Sequence, residues 1–244
     1  MDSEKRWAMV IDQDRCIGCW TCAVACKEIN NQPLGFWWNR ILTAPASDSA
    51  AAPASENIDV PAGKFPELTL TYQPTACQHC QDAPCVKVCP VSATFRRADG
   101  VILVDYERCI GCRYCIAACP YGVRVFNWGD TKYADEFPVG YDQDHRTDGR
   151  LVFTPERPRG VVEKCTLCVE RLDVGELPFC VESCPVGARV FGDLNDPASE
   201  VSRRVNNEGA GRLLNELGTE PDIFYQTARR TALDIGSYQN ATGA

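Results

Sequence analysis

Histidine and methionine are scarce, with two of each in 244 residues. Two imidazoles supply little acid-base chemistry. No GxGxxG, P-loop, GxSxG or HExxH element is present to hold a nucleotide, a nucleophile or a catalytic zinc. No run of about 18 apolar residues occurs, so the chain is not expected to span a bilayer. Met1 to Val10 lacks a basic segment followed by an apolar run. The pairs Arg96-Arg97, Arg203-Arg204 and Arg229-Arg230 do not open an export signal either, so no leader is expected. A basic excess is also missing: the formal charge is -8, which argues against a nucleic-acid partner. Leu, Ile, Val and Phe total only 54 residues, close to the level at which chains begin to look disordered. The interior needs another filler.

Cysteine supplies it, with 16 residues in four groups of four and none left over. Group one is Cys16, Cys19, Cys22 and Cys26; group two is Cys77, Cys80, Cys85 and Cys89; group three is Cys109, Cys112, Cys115 and Cys119; group four is Cys165, Cys168, Cys180 and Cys184. VIDQDRCIGCWTCAVAC from Val10 aligns with LVDYERCIGCRYCIAAC from Leu103, equivalent cysteines lying 93 positions apart. Groups two and four align more loosely, each ending in Cys-Pro, with first cysteines 88 positions apart. The order A, B, A, B is that of a duplicated two-motif unit. Lacking a leader, a thiol-rich chain is expected to be made and loaded in the reducing cytosol.

Short β-branched runs predict strands at Met9 to Asp12, Ala93 to Arg96, Val101 to Asp105, Val123 to Asn127 and Ala188 to Phe191, with Asp99-Gly100 turning a hairpin. The third and fourth cysteines of each group fit a helical turn ended by proline. Residues 43–65 are Ala/Pro/Ser-rich and 129–159 polar, and both read as insertions, the second as a partner surface. Residues 192–244 are expected to form a wrapping tail with helices at Ser199 to Asn206 and Gly211 to Leu217. The fold class expected is α+β and loop-rich.

Cys-x2-Cys-x2-Cys-x3-Cys-Pro is the bacterial ferredoxin spacing, in which three thiolates wrap one [4Fe-4S] cluster and the fourth ligates another. Group three matches it fully; in group one Lys27 replaces the proline. Zinc has no use for a third cysteine at this spacing, and eight disulfides would need an oxidising compartment. Groups two and three are nearest along the chain, so they are expected to pair, leaving groups one and four to pair with each other. The expected ligand sets are Cys77, Cys80, Cys85 with Cys119; Cys109, Cys112, Cys115 with Cys89; Cys16, Cys19, Cys22 with Cys184; and Cys165, Cys168, Cys180 with Cys26. Four [4Fe-4S] clusters follow. The domains expected are one ferredoxin-like unit over 66–128 and a second from 1–42 with 160–191.

His79 is expected to pack or hydrogen-bond beside its cluster rather than ligate iron. Arg15, Lys27, Lys87, Arg108, Arg113, Arg124, Lys164, Arg171 and Arg189 flank the motifs, as surface charge or as cations that raise cluster potentials. Trp20 and Tyr114 are expected to shield clusters from water, and Phe36-Trp37-Trp38 to serve as core or interface.

CQHCQDAPCVKVCP from Cys77, RCIGCRYCIAACPYGVRVFN from Arg108, KCTLCVERLD from Lys164 and ARVFGDLNDPASEVSR from Ala188 together resemble the four-cluster, ferredoxin-like electron-transfer subunits of the dimethyl sulfoxide reductase superfamily. MVIDQDRCIGC, FPELTLTYQPTACQHC and GTEPDIFY look most like the small subunits of respiratory arsenate and polysulfide reductases. The resemblance implies a non-catalytic subunit that relays electrons between a molybdopterin catalytic subunit, carrying molybdenum or tungsten, and a quinone-reactive membrane subunit or other carrier. It implies the same cluster ligation as above. The alternatives are an equivalent subunit of a hydrogenase or cytochrome-type quinol complex, or a stand-alone carrier. It also implies co-export to the periplasmic side of the membrane with a signal-bearing partner, or else a place on the cytoplasmic face.

Overall fold

Ala8-Met9-Val10-Ile11 does not alternate with polar residues, and a computed structural model, which describes residues 5–45, 62–129, 132–135 and 143–226, shows the reason. The strand Trp7–Asp12 is buried on both faces. It is an interior member of a four-stranded sheet with the order Arg189–Asp193, Trp7–Asp12, Ile223–Gln226, Gly211–Arg212. Met9 stands opposite Phe191 in the antiparallel pair and opposite Ile223 in the parallel pair. Met9 and Ile11 face a core shared with Ile223, Tyr225 and the thiols of Cys77, Cys80, Cys85 and Cys115. Ala8 and Val10 face the other way, onto Val201, Ala210 and Phe224. Such two-sided burial calls for a continuous apolar run.

The helix Glu200–Asn207 covers that second face. Ser199 caps it by accepting the Ser202 N–H at 3.1 Å, and Glu200 pairs with Arg204 one turn on.

The other sheets are small. Thr94–Arg96 pairs with Ile102–Val104, Val125–Phe126 with Val162–Glu163, and His145–Thr147 with Arg150–Phe153. Glu67–Thr75 lies between Arg40–Pro45 and Ala62–Lys64. With short helices and long loops the architecture is α+β and loop-rich. The expected strands are all present, shifted by a few residues. Asp99-Gly100 turns the hairpin as its sequence indicates, with Gly100 at φ 89° and its N–H on the Arg97 carbonyl at 3.0 Å.

Three stretches differ from expectation. Within 129–159, read as a polar insertion with no strand predicted in it, the strands around Asp148-Gly149 form a hairpin. Both turn residues have positive φ, 51° and 75°, which suits two-residue hairpin turns. The hairpin buries Leu151, Val152 and Phe153, and the Leu151 carbonyl accepts the Tyr106 N–H at 3.0 Å. Residues 43–45 and 62–64, the ends of the Ala/Pro/Ser-rich stretch, are strand, while 46–61 lie outside the described residues. Of the expected tail, Ile223–Gln226 is an interior strand. Gly211 to Leu217 is no α-helix: Gly211–Arg212 pairs with Tyr225 and Phe224, and Leu214 and Gly218, at φ 47° and 63°, confine Asn215–Leu217 to one 3-10 turn. Residues 227–244 lie outside the described residues.

One buried ion pair ties the segment before group four to the N-terminal half. Arg157 Nε and Glu163 Oε2 are 3.2 Å apart with both side chains fully buried. Asn127 Nδ2 donates to Glu163 at 3.0 Å, and Arg157 donates to the Asn31 carbonyl at 2.7 Å. Removing one partner strands the other's charge, at a cost of about 3–5 kcal/mol. Arg157→Met should therefore destabilise by about 3 kcal/mol or more, read from denaturant unfolding followed by circular dichroism, and Arg157→Met with Glu163→Leu should recover part of the loss.

Candidate iron-sulfur centres

The two Cys-x2-Cys-x2-Cys loops share one backbone. Asp12 Oδ1 accepts the N–H groups of Asp14 and Arg15, both at 3.1 Å; Asp105 Oδ1 accepts those of Glu107 and Arg108 at 3.1 and 3.3 Å. The main-chain carbonyls of these aspartates accept the N–H groups of Cys16 and Cys109 at 3.1 and 3.0 Å. Gly18 and Gly111 both have φ 68°, and Trp20 and Arg113 have 61° and 62°. These left-handed residues turn each loop back on itself before the helix that carries its third cysteine, Thr21–Ile29 for Cys22 and Tyr114–Ala117 for Cys115. The second helix ends ahead of Pro120. With Lys27 in place of proline, the first runs on to Ile29, and the Lys27 amine reaches the Phe36 carbonyl at 2.9 Å. Group two instead uses one left-handed residue, His79 at 46°, and group four uses two in succession, Leu167 at 61° and Cys168 at 52°; His79 and Leu167 are both third in their Cys-x2-Cys.

The thiols gather across groups. One cavity is lined by Cys16, Cys19, Cys22 and Cys184. A second is lined by Cys89, Cys109, Cys112 and Cys115. A third is lined by Cys26, Cys165, Cys168 and Cys180, with Cys77 on its wall. Cys80 has Cys77, Cys85 and Cys119 as its electrostatic neighbours. Each gathering takes three thiols from one group and one from another. Among the described residues no three His, Cys, Asp or Glu side chains meet at the point a single metal ion needs. Four sulfurs around a space suit a cubane, whose irons sit at several corners, better than zinc. A larger open depression lined by Asp105, Glu107, Arg108 and Arg150 contains no cysteine.

Electrostatics at these sites follow from burial. Burial pushes the Cys80 and Cys165 thiols up to about 12, and Cys26 and Cys168 well above the ordinary range. At Cys77 burial also acts upward, but the His79 ring and Lys164 outweigh it and hold the thiol well below its usual value. Most inner thiols thus become thiolates only when iron displaces their protons, so cluster assembly releases protons. Donors are already in place for the sulfurs: the N–H groups of Thr94, Leu167 and Ala188 approach Cys89, Cys165 and Cys184 at 3.4, 3.4 and 3.3 Å, and Gln32 Nε2 approaches Cys26 at 3.5 Å.

His79 is buried; its Nδ1 accepts the Ile102 N–H at 3.1 Å, while Nε2 has no hydrogen-bond partner among the described residues. An accepting Nδ1 places the proton of a neutral ring on Nε2, leaving a donor beside Cys77. The basic residues divide by partner. Lys87 forms an exposed ion pair with Asp82, the exposed Arg108 pairs with the buried Asp105, Arg113 lies over Trp128, and Arg171 is buried against Glu182. Arg124, Lys164 and Arg189 are buried among the thiols. Trp20 and Tyr114 are exposed at the mouths of their loops, Trp20 edge-on to Trp37 at 5.6 Å, and Trp38 is core.

The 4Fe-4S dicluster domain family matches residues 68–135 and 151–194, and a second 4Fe-4S dicluster family matches residues 15–93. A putative dimethyl sulfoxide reductase iron-sulfur subunit of Halobacterium salinarum is 47% identical over 225 residues, covering 90% of this chain and 78% of that protein. The arsenate respiratory reductase iron-sulfur subunit of a Shewanella species is 38% identical over 242 residues, covering 90% and 95%. The menaquinone reductase iron-sulfur cluster-binding subunit of Nitratidesulfovibrio vulgaris is 38% identical over 255 residues, covering 95% and 92%. The chain belongs to the iron-sulfur subunits of the dimethyl sulfoxide reductase family. As such it carries four [4Fe-4S] clusters, relays electrons, and leaves substrate chemistry to a separate subunit.

Sequence reasoning about the sites overlooked Asp12 and Asp105, which fold the loops, the donor Gln32, and Asn39, whose Nδ2 donates to the Cys22 carbonyl at 3.1 Å. The aspartates carried a signal: both stand four residues before the first cysteine of the repeated motif.

The glycines give a sharp test. A Cβ on Gly111 would lie 2.0 Å from the Gly160 carbonyl oxygen, whereas one on Gly18 would meet the Tyr72 ring at 2.3 Å. Left-handed backbone alone costs an L-residue about 1–2 kcal/mol. Gly111→Ala must also displace main chain, so it should lower iron content more than Gly18→Ala, where a ring can swing aside. Iron and sulfide analysis of the two purified variants decides.

Proposed function

We propose that the four thiol gatherings are the four ligand sets, and that they run in one line through the protein: Cys16, Cys19, Cys22, Cys184; then Cys26, Cys165, Cys168, Cys180; then Cys77, Cys80, Cys85, Cys119; then Cys89, Cys109, Cys112, Cys115. Neighbouring sets abut through Cys22 and Cys180, which share Arg189; through Cys77 and Cys165, on the wall of one cavity; and through Cys85 and Cys115, electrostatic neighbours. The first two sets make one ferredoxin-like unit, drawn from 1–42 and 160–191, and the last two make the other, within 66–128. Each bound cluster accepts and passes on one electron.

A single observation supports the line as a route between partners. Of the sixteen thiols, only Cys19 and Cys112 are exposed, one in each outermost set. Exposed apolar side chains surround both: Ile17 and Trp20 beside Cys19, and Ile110 and Tyr114 beside Cys112. Such patches suit protein contacts that exclude water around an electron-exchanging site. One end serves a molybdopterin-containing catalytic subunit and the other a quinone-reactive membrane subunit; the name of the menaquinone reductase relative favours a quinone-linked partner. The described residues contain no helix long and apolar enough to cross a membrane; in this reading the membrane subunit holds the chain at the membrane. We place it on the periplasmic side, exported folded with a signal-bearing partner; protease accessibility in spheroplasts tests this against the cytoplasmic face.

Anaerobically purified protein should contain about sixteen irons and sixteen sulfides per chain. Cys184→Ser should alter the cluster held by Cys16, Cys19 and Cys22, and Cys119→Ser the one held by Cys77, Cys80 and Cys85. Each should leave a three-ligand site that converts to [3Fe-4S] or empties, seen by electron paramagnetic resonance of the oxidised protein. If each lesion stayed within its own group of four, the ligand sets would be wrong.

A further inference from the structure

We propose that Arg189, Lys164 and Arg124, one buried basic side chain at each of the three junctions between neighbouring ligand sets, raise the reduction potentials of the two clusters that each one separates. The proposal rests on the ligand sets above.

Arg189 is 5% exposed and bridges the first junction. One terminal nitrogen donates to Cys22 Sγ at 3.4 Å and Asn39 Oδ1 at 3.1 Å; the other reaches Cys180 Sγ at 3.8 Å and Met9 Sδ at 3.5 Å. Lys164, 2% exposed, stands at the middle junction. Its amine donates to the carbonyls of Ile102 and Cys165, and its charge favours the thiolates of both Cys77 and Cys165. Arg124, 5% exposed, stands at the third. It donates to Thr94 Oγ1 at 3.4 Å, leaves Nη2 unpartnered among the described residues, and faces Cys85 and Cys115, one from each set.

None of the three has a carboxylate within ion-pair range among the described residues. Arg157 and Arg171, the other buried arginines among the described residues, each have one. A basic group taken out of water needs a counter-charge, and thiolate sets on both sides are what these three have. An added electron makes a thiolate-ligated cluster more negative, so a fixed cation stabilises the reduced form and raises the potential. Placed between two clusters, it also offsets their mutual repulsion.

The two arginines stand in one short motif, although the A, B, A, B repeat does not relate them: it places Asn31 opposite Arg124 and Thr94 opposite Arg189. Arg124 and Arg189 each follow the last cysteine of their motif by five positions, in Cys-Pro-Tyr-Gly-Val-Arg-Val-Phe and Cys-Pro-Val-Gly-Ala-Arg-Val-Phe. Lys164 immediately precedes Cys165, where the equivalent residue before Cys77 is Ala76, so the basic residue at the seam between the halves has no duplicate.

The test is a redox titration of the loaded protein, followed by electron paramagnetic resonance, for Arg189→Met, Arg124→Met and Lys164→Met. Each variant should lower two of the four midpoint potentials. The pairs moved by the two arginines should share no cluster, and the Lys164 pair should take one cluster from each. Arg189→Lys should keep all four near their wild-type values. A fully loaded variant that moves no potential, moves all four alike, or moves its pair upward overturns the proposal. Where a methionine variant loads poorly, the lysine and glutamine variants of the same arginine are compared at matched iron content, and equal potentials in both overturn it. For Lys164 the comparison is between arginine and glutamine. An error in the ligand sets would show separately, in the wild-type iron count and in which cluster Cys184→Ser alters.

Discussion

Sulfur taken out of water in quantity is the constraint on which this structure depends. A buried thiol is tolerable while it keeps its proton, and burial holds most of the inner thiols protonated at neutral pH. Iron replaces those protons and turns the same positions into fixed, shared anions. The aliphatic side chains, few as they are, are packed around cysteines: Met9, Ile11, Leu103 and Val162 share one core with Cys77, Cys80, Cys85 and Cys115. Iron bound at these positions would cross-link the same core that the aliphatic residues build.

The loops that present the sulfurs need a shape that no regular element provides. Asp12 and Asp105 tie the chain just ahead of each loop, and Gly18 and Gly111 supply the left-handed turns inside it. Close packing uses up the room these glycines leave, since both contact a neighbour from distant sequence, Tyr72 or Gly160. The duplication preserved this backbone while side chains on its exposed edge diverged, Trp20 against Arg113 and Thr21 against Tyr114. The same frame can thus present different surfaces at its two ends.

Much of this was legible in the sequence, because cluster ligation and turn chemistry act over a few residues. The cysteine groups, the 94–104 hairpin and the helix that Ser199 opens all lie within short windows. The hairpin around Asp148-Gly149 had an equally local signal, masked by the polar residues on either side of it. What sequence alone did not show depends on contacts between distant segments. Ile223–Gln226 is short and follows a Pro-Asp turn, so it read as tail; it becomes a strand because Trp7–Asp12 offers it a free edge. Arg189 and Arg124 looked like any other flanking charge until the fold placed sulfurs from separate groups on either side of them.

The strand Trp7–Asp12 also sets an order of events during synthesis. It emerges long before both strands that flank it, Arg189–Asp193 and Ile223–Gln226, which come from the far end of the described chain. Until those residues leave the ribosome, the segment carrying Cys16, Cys19 and Cys22 has neither its sheet nor Cys184 beside it. The middle of the chain, from Thr94 to Glu163, closes on much shorter loops and can settle earlier. One half of the protein thus matures while the other waits, and the waiting thiols are those made first, the longest exposed to oxidants or stray metal during translation.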